Sequence, residues 1–468
     1  MKGGVPMKRI LKIVSYAIFI GFSYLFIFAV LVYKVHQPLP TDLSYDVSTF
    51  KTTASGETYA YLVEERYHAL EVRLALIEKA QETIDVSYYA MHPNQSRDIF
   101  YGALLEAAER DVMVRIIVDG FIEGGVFGDR EIVDALIAHE NITFSYYEPV
   151  NLLRPYAIQN RLHDKLLLID DQYGLTGGRN IGDRYFMDLD DSRDMVHDRD
   201  VLIFGLDHHE TVITMREYFD TLFNSRYSAV QTARTSSNND EIAENLRAIY
   251  RDYVKDYDFT AIENTILNGA ILVNRATFIH SPLNRMQKHP VVLETMLALA
   301  EDYDTVFVQS PYVILDRAMR EMFNDYDDKT ITILTNNWIN NPNIFAVSGY
   351  MRIRNDLAAT TDLYEYYGEI GIHSKTILMG SDLSIIGSFN IDPRSAFLST
   401  ESMIVIYSET FTSHMYDTVD TYIADSYRVD ASGDYIERNG SVPSEASRLR
   451  KIAVRITMVL TWFFDEML

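Results

Sequence analysis

The 468-residue chain contains no cysteine. Disulfides and thiolate-bound metals are therefore excluded, while the compartment stays open, because a chain without Cys suits either side of a membrane. Basic residues are also scarce: 42 Lys and Arg stand against 67 Asp and Glu, a formal net charge of -25. A surface this acidic repels nucleic-acid backbones, which are bound through stripes of Lys and Arg, so a nucleic-acid partner is disfavoured. It repels anionic lipids too, unless basic residues gather at the contact. Residues 13–33 lack charge altogether, a run long enough to cross a hydrocarbon core of about 30 Å. Lys2, Lys8, Arg9 and Lys12 precede it, and Lys34 follows before the chain turns acidic. Excess positive charge marks the cytosolic flank. The expected topology is a single pass with a cytoplasmic N-terminus and the rest outside. The run is long for a cleaved signal peptide and no A-x-A-like site follows it, so residues 1–36 are expected to be an uncleaved anchor.

What is present fills a large core: the hydrophobic fraction is 47%, and the length predicts two or three domains. Residues 37–53, with Pro38 and Pro40, read as a polar stalk. Beyond it the sequence repeats itself. The first copy reads as helix 64–81, strand 83–89, helix 99–110 and strand 112–118. The second reads as helix 291–300, strand 305–309, helix 316–323 and strand 330–334. This alternation predicts an α/β fold with mostly parallel sheets flanked by helices. The expected domains are 37–231 and 276–430. Between them, 232–275 reads as a polar linker plus a connecting helix that the sequence assigns to neither domain. In the tail, 431–468, Arg448, Lys451 and Arg455 share one helical face. Leu449, Ile452, Ile456, Leu460 and Phe463 share another, with Trp462 and Phe464 near the end. Such a helix suits a membrane interface, or docks on protein with its basic face in water.

Each copy then delivers one motif. His163 and Lys165 lie in HDKLLLID, and His373 and Lys375 in HSKTILMG. A Gly-rich tetrad ending in Asn follows each at the same interval: Gly177-Gly178-Arg179-Asn180 and Gly387-Ser388-Phe389-Asn390. Side chains two apart on a strand share a face, so each His points the same way as its Lys. Two half-sites facing each other surround one phosphate with two imidazoles, two ammoniums and two carboxamides. One neutral imidazole can attack phosphorus. The other, protonated, can donate to the leaving alkoxide and later take a proton from the incoming alcohol. The lysines and asparagines stabilise charge on the equatorial oxygens. With charge neutralised by Lys165 and Lys375, no metal or other cofactor is required. A nucleophilic His needs an acceptor on its other ring nitrogen. The carboxylates that open a strand after each motif are Asp198 or Asp200 in the first copy and Glu401 in the second, and parallel placement favours Asp198.

The spacing and order resemble the phospholipase D superfamily, whose pattern is HxKxxxxD followed by GSxN, over roughly residues 64–401. The contexts RLHDKLLLID with GGRNIGDRYF, and HSKTI with IGSFNIDPRS, resemble bacterial cardiolipin synthases of the short type called cardiolipin synthase C. The resemblance implies the two-domain phospholipase D fold, a phosphohistidine intermediate, and Glu401 and Asp198 as the acids that orient the histidines. It also implies phospholipid substrates in a bacterial cell membrane: phosphatidylglycerol, and either a second phosphatidylglycerol or phosphatidylethanolamine as phosphatidyl donor. Two positions depart from the pattern. Gly178 replaces Ser, and Gly380 replaces the motif Asp that the first copy keeps as Asp170. Alternation turns Asp170 off the catalytic face, so it reads as structural. His163, which keeps its motif Asp, is the expected nucleophile. Hydrolysis instead of transfer, nucleic-acid cleavage, and lipid binding without turnover are the competing outcomes. Arg184 and Arg394 repeat in register and suit either a second phosphate or an ion pair. His208, His209 and Glu210 read as a helix start, not a metal site, and Trp338 as a loop anchor.

Overall fold

The computed structural model describes residues 7–54, 56–205, 209–234, 236–323, 326, 328–438, 440–462 and 464–468. Lys2, His208 and Phe463 lie outside this set. The chain opens with the helix Met7–Phe26, a wider π-type turn Ile27–Leu31 and a last turn Val32–Val35. Within it, Leu11–Val35 is long and apolar enough to cross a membrane. The second half of this helix leans on the body of the protein. The Tyr24 hydroxyl donates to the Leu153 carbonyl at 3.3 Å, Gln159 Nε2 donates to the Ala29 carbonyl at 3.0 Å, and the Tyr33 hydroxyl donates to the Tyr156 carbonyl.

Two sheets follow. The first runs Ile271–Val273, Thr58–Val63, Asp200–Phe204, Tyr173–Gly177, Lys165–Ile169, Thr83–Tyr88, Met113–Asp119, Ile142–Tyr147 and Ser228–Val230. The second runs Arg275–His280, Ser402–Tyr407, Leu383–Gly387, Thr376–Met379, Thr305–Gln309, Thr330–Asn336, Asp362–Tyr366 and Ser426–Arg428. Helices cover the outer faces. The helices and strands read from the repeat are present, with ends displaced by a few residues at most.

The expectation of mostly parallel sheets needs correction. Only the three strands joined by helices, Thr83–Tyr88 through Ile142–Tyr147 and Thr305–Gln309 through Asp362–Tyr366, pair in parallel. The other pairings within the two sheets are antiparallel. The cause is local. The strand after each His-Lys motif folds back through a tight turn, with Asp170 and Asp171 at φ 50 and 55 and Gly380 at φ 54. A turn this short can join only antiparallel neighbours, since a parallel pair needs a long crossover.

The sheets pack face to face. Leu166, Leu168, Val201 and Ile203 of one share a buried cluster with Leu378, Ile386, Ile404 and Ile406 of the other, which removes a large apolar area from water. One buried guanidinium crosses the join: Arg199 binds Glu64 at 2.7 Å, Gln309 Oε1 at 2.8 Å and Thr376 Oγ1 at 2.7 Å.

Two segments sit differently from their sequence reading, and a third takes one of its two expected forms. The 37–53 run is no free stalk, because Phe50, Tyr45 and Val47 pack into the core of the second half, and Leu39 bridges to Lys288. The 232–275 stretch is no free linker. Its helices Asn239–Val254 and Phe259–Gly269 bury Leu246, Tyr250 and Ile266 in the first core, and its last strand is an edge of the first sheet. The tail helix Arg448–Thr461 docks on the helix Ile344–Thr360 through Val454, Thr457 and Thr461. Leu449, Ile452, Ile456 and Leu460 remain exposed, Leu449 at 80%. The helix is docked, and its apolar face still points outward.

Candidate active site

Each histidine arrives where the two halves meet. A parallel bridge joins Leu162 to Thr400, and the His163 N–H donates to Thr400 Oγ1 at 3.1 Å. On the other side Gly371–Ile372 pairs with Val196–His197, and the His373 N–H donates to the His197 carbonyl at 2.6 Å. Each bridge sets a histidine beside the acid of the opposite half. His163 Nδ1 lies 2.9 Å from Glu401 Oε1, and His373 Nδ1 lies 2.6 Å from Asp198 Oδ2. The sequence offered Asp198 or Asp200 after the first motif and Glu401 after the second; the folded chain sets Asp198 on His373 and Glu401 on His163. A carboxylate on Nδ1 fixes the tautomer that leaves Nε2 free for chemistry. Asp200 is engaged elsewhere, holding Arg73 at 2.8 Å and Arg179 at 3.1 Å.

Lys165 opens the strand Lys165–Ile169 and Lys375 directly precedes Thr376–Met379. Each ammonium donates to the carbonyl of its own histidine. Asn180 and Asn390 follow the next strand in each half. Asn180 Nδ2 donates to the Tyr185 hydroxyl at 3.0 Å, and the buried Oδ1 atoms of both asparagines are without a partner. His163, His373, Asn180, Asn390, Arg184 and Arg394 all line one cavity of about 880 Å³. Phe26 and Val30 of the N-terminal helix and Phe345 form apolar parts of its wall. Arg394 donates to Gln159 Oε1 at 3.2 Å and to the Met467 carbonyl.

Burial sets the electrostatics. It pushes Lys165 down to about 7 and Lys375 down to about 8, with Glu401 and Asp198 respectively opposing. Burial, then Lys165 and Lys375, hold the His163 imidazole well below its usual value. Burial and Lys375 push His373 down to about 3, against Asp198. Burial also pushes Glu401 up to about 7, although Lys165 opposes it. At Asp198 burial acts in the same upward sense, but His373 and Lys375 outweigh it and hold the carboxyl well below the usual range. Burial thus favours the neutral form of both imidazoles and of both lysines, and such perturbed groups gathered in one cavity are typical of reactive centres.

The two departures from the motif acquire physical reasons. A Cβ at Gly178 would stand 2.1 Å from Asp198 Oδ1, so no serine fits there. In the other half Ser388 donates to Glu401 Oε2. Small residue and acid thus differ together. Asp170 caps a turn: its carboxylate accepts the N–H groups of Gln81, Glu82 and Thr83 at 2.7, 2.9 and 2.7 Å. At Gly380 the left-handed backbone persists, but the Tyr303 ring lies 2.5 Å from where a Cβ would stand. Both turns lie at the far ends of their strands, about 13–16 Å from the lysines at 3.3 Å per residue.

Sequence reading missed several site neighbours. The Tyr89 ring stacks edge-on to His163 at 5.2 Å, and the Tyr185 ring to His373 at 5.7 Å. Asp392 is buried at the site, and burial pushes it up to about 6. Tyr89 directly follows the strand beside the motif and could have been found; Tyr185 becomes visible only through its bond to Asn180. His209 accepts from Thr211 at the start of Glu210–Phe223 and bonds Thr58, and among the described residues no group of three His, Asp or Glu could hold a metal. Trp338 packs against the second core, and its carbonyl accepts from Arg450.

The chain is 29% identical over 394 residues to an uncharacterised Helicobacter pylori protein, covering 75% of this chain and 76% of that one. It is 27% identical over 395 residues to cardiolipin synthase C of Escherichia coli K12, covering 76% and 82%. Cardiolipin synthase A of Erwinia tasmaniensis is 23% identical over 405 residues, covering 81% and 70%. The crystal structure of phosphatidylserine synthase from Haemophilus influenzae superposes with a TM-score of 0.63, at 14% identity, over 87% of this chain and 95% of that one, which shows a shared fold. The family model described as cardiolipin synthase, PLD-like domain, matches residues 74–223 and 293–422, and the chain belongs to that family.

Proposed function

We propose that the protein is a membrane-anchored phosphatidyltransferase that makes cardiolipin from phosphatidylglycerol and a second phospholipid through a phosphohistidine. The observation that carries the reading is one cavity holding both histidines, each with its Nδ1 on a carboxylate of the opposite half, walled in part by the apolar N-terminal helix. One imidazole attacks phosphorus through Nε2 and the other protonates the leaving oxygen. Lys165, Lys375, Asn180 and Asn390 meet the charge on the phosphoryl oxygens. Binding an anionic phosphodiester raises the affinity of the second imidazole for the proton it must donate. Acyl chains reach the histidines past Phe26 and Val30, a route with no use for a nucleic acid. The charge asymmetry around residues 13–33 supports catalytic halves outside the cytoplasm of a bacterial cell.

The test supplies full-length protein in mixed micelles with labelled phosphatidylglycerol, with and without phosphatidylethanolamine, and follows products by mass spectrometry. Cardiolipin with released glycerol is expected; a requirement for phosphatidylethanolamine would identify that lipid as the donor. Phosphatidic acid alone would replace the reading with hydrolysis, and nucleotide release from DNA or RNA would overturn it.

A further inference from the structure

The site has a second chamber. A cavity of about 760 Å³ lies against the catalytic cavity, and the two share Arg184, Tyr185, Tyr312, Asn343 and His373 as lining. Their characters differ. The catalytic cavity is walled by Phe26, Val30, Ile314 and Phe345 on its apolar side. The second is lined by Asn336, Asn337, Asn340 and Asn341, with Ser192 and Glu369. His163 borders only the first, whereas His373 borders both.

We infer that the second chamber receives the headgroup alcohol: the small polyol or amino alcohol released from the donor, and then the headgroup hydroxyl of the acceptor. The inference rests on the phosphatidyl-transfer reading. During transfer the diacylglycerol tails stay in the apolar cavity, so a released hydrophilic alcohol needs another way out. Asn340, Ser192 and Glu369 on its wall offer donors and acceptors to such an alcohol, beside apolar surface from Met195, Val196 and Ile372, whereas the Asn336 and Asn337 carboxamides already bond backbone groups. Roles follow. His163 Nε2 attacks phosphorus, and the bond from phosphorus to the headgroup oxygen breaks. The proton on His373 Nε2 passes to that oxygen, and the neutral alcohol leaves through the chamber. In the second half the acceptor hydroxyl returns a proton to His373 Nε2, its oxygen attacks phosphorus, and the bond to His163 breaks. The pairing of His373 with an acid held ionised suits the histidine that must carry the proton.

The experiment narrows the chamber from either wall with Asn340→Trp and Ser192→Trp, both outside the catalytic set. Full-length enzyme in phosphatidylglycerol vesicles receives deuterated glycerol. Deuterated phosphatidylglycerol reports alcohol exchange, and phosphatidic acid reports attack by water. The half-saturating glycerol concentration is expected to rise about tenfold in each variant, equivalent to about 1.4 kcal/mol, and at a fixed glycerol concentration the product ratio shifts toward phosphatidic acid because water still fits. Unchanged glycerol saturation in both variants would overturn the inference. So would a fall in both products at an unchanged product ratio, which would place the phosphodiester itself in the chamber. Wild-type enzyme that yields neither product would instead overturn the phosphatidyl-transfer reading.

Discussion

Gly178→Ser restores the family's usual residue and should nevertheless impair the enzyme. Its Cβ would meet Asp198 Oδ1 at 2.1 Å, well inside any tolerated contact. Asp198 cannot yield freely. It is buried, accepts the Arg199 N–H at 2.9 Å and holds His373 Nδ1 at 2.6 Å. Displacing it sacrifices a charge-assisted hydrogen bond of about 1.5–3 kcal/mol. If that bond orients His373 in the transition state, kcat should fall roughly 10- to 150-fold at 1.36 kcal/mol per decade. The other half shows the remedy, because there a serine coexists with the longer acid: Ser388 donates to Glu401. The double variant Gly178→Ser, Asp198→Glu should therefore recover part of the lost activity, and neighbours that share one contact are expected to be non-additive. Initial rates of phosphatidyl transfer and melting temperatures for the two single variants and the double variant provide the cycle. Wild-type kcat in Gly178→Ser, or strictly additive losses in the double, would refute the reasoning.

Asp170→Gly should lower stability by about 2–4 kcal/mol, because three backbone donors lose one acceptor, with kcat changed far less; thermal melts beside rate assays check this, and lost turnover at an unchanged melting temperature would contradict it. Gly380→Asp should also destabilise, since the Tyr303 ring fills the space. The pH profile of kcat/KM should bend downward above about pH 7–8, as Lys165 and then Lys375 lose the charge needed in the transition state. Stability moves the other way: lysines with depressed folded values bind fewer protons than the unfolded chain between about pH 7 and 10.5, so their contribution rises with pH there, whereas the raised Glu401 contributes stability at low pH that is lost as pH climbs from 4.5 through about 7. Urea titrations across that range read out both signs. Leu152 and Leu153 are 67% and 85% exposed where the Tyr24 level of the N-terminal helix meets the protein. Tyr24 precedes Tyr33 by nine residues, about 14 Å at 1.5 Å per residue, so on the proposed reading of residues 13–33 as a membrane span this loop would lie within hydrocarbon. Leu152→Asp with Leu153→Asp should slow turnover on vesicles much more than on short-chain lipid in solution, and equal effects on both would count against insertion.

Much of this site was legible because its parts are local and duplicated. The two His-Lys motifs, their asparagines and the strand-opening acids lie at fixed offsets, and their spacing alone predicts a shared centre. What the sequence left hidden depends on contacts between distant segments. Asp198 and Glu401 stand 175 and 238 positions from the histidines they hold, and nothing in either copy signals that the acids cross over. The antiparallel majority of each sheet was hidden for a related reason: the alternation of helix and strand describes only three strands per half, while the hairpins hinge on left-handed turns at Asp170, Asp171 and Gly380. Residues 37–53 looked like a stalk because polar residues outnumber Tyr45, Val47 and Phe50, yet those three decide where the segment packs. Gly380 shows in the sequence only as a departure from the motif; the Tyr303 ring that fills its side-chain space is a tertiary contact.

The most direct test of a single shared centre is the stoichiometry of the covalent intermediate. Full-length enzyme is mixed with labelled phosphatidylglycerol, quenched in alkali within milliseconds to seconds, and digested for mass spectrometry. The account predicts at most one phosphatidyl group per chain, on the peptide carrying His163, absent in His163→Ala and slow both to form and to decay in His373→Ala, whose first step lacks its acid and whose second lacks its base. Two groups per chain, or label on the His373 peptide in a His163→Ala variant that still turns over, would contradict it.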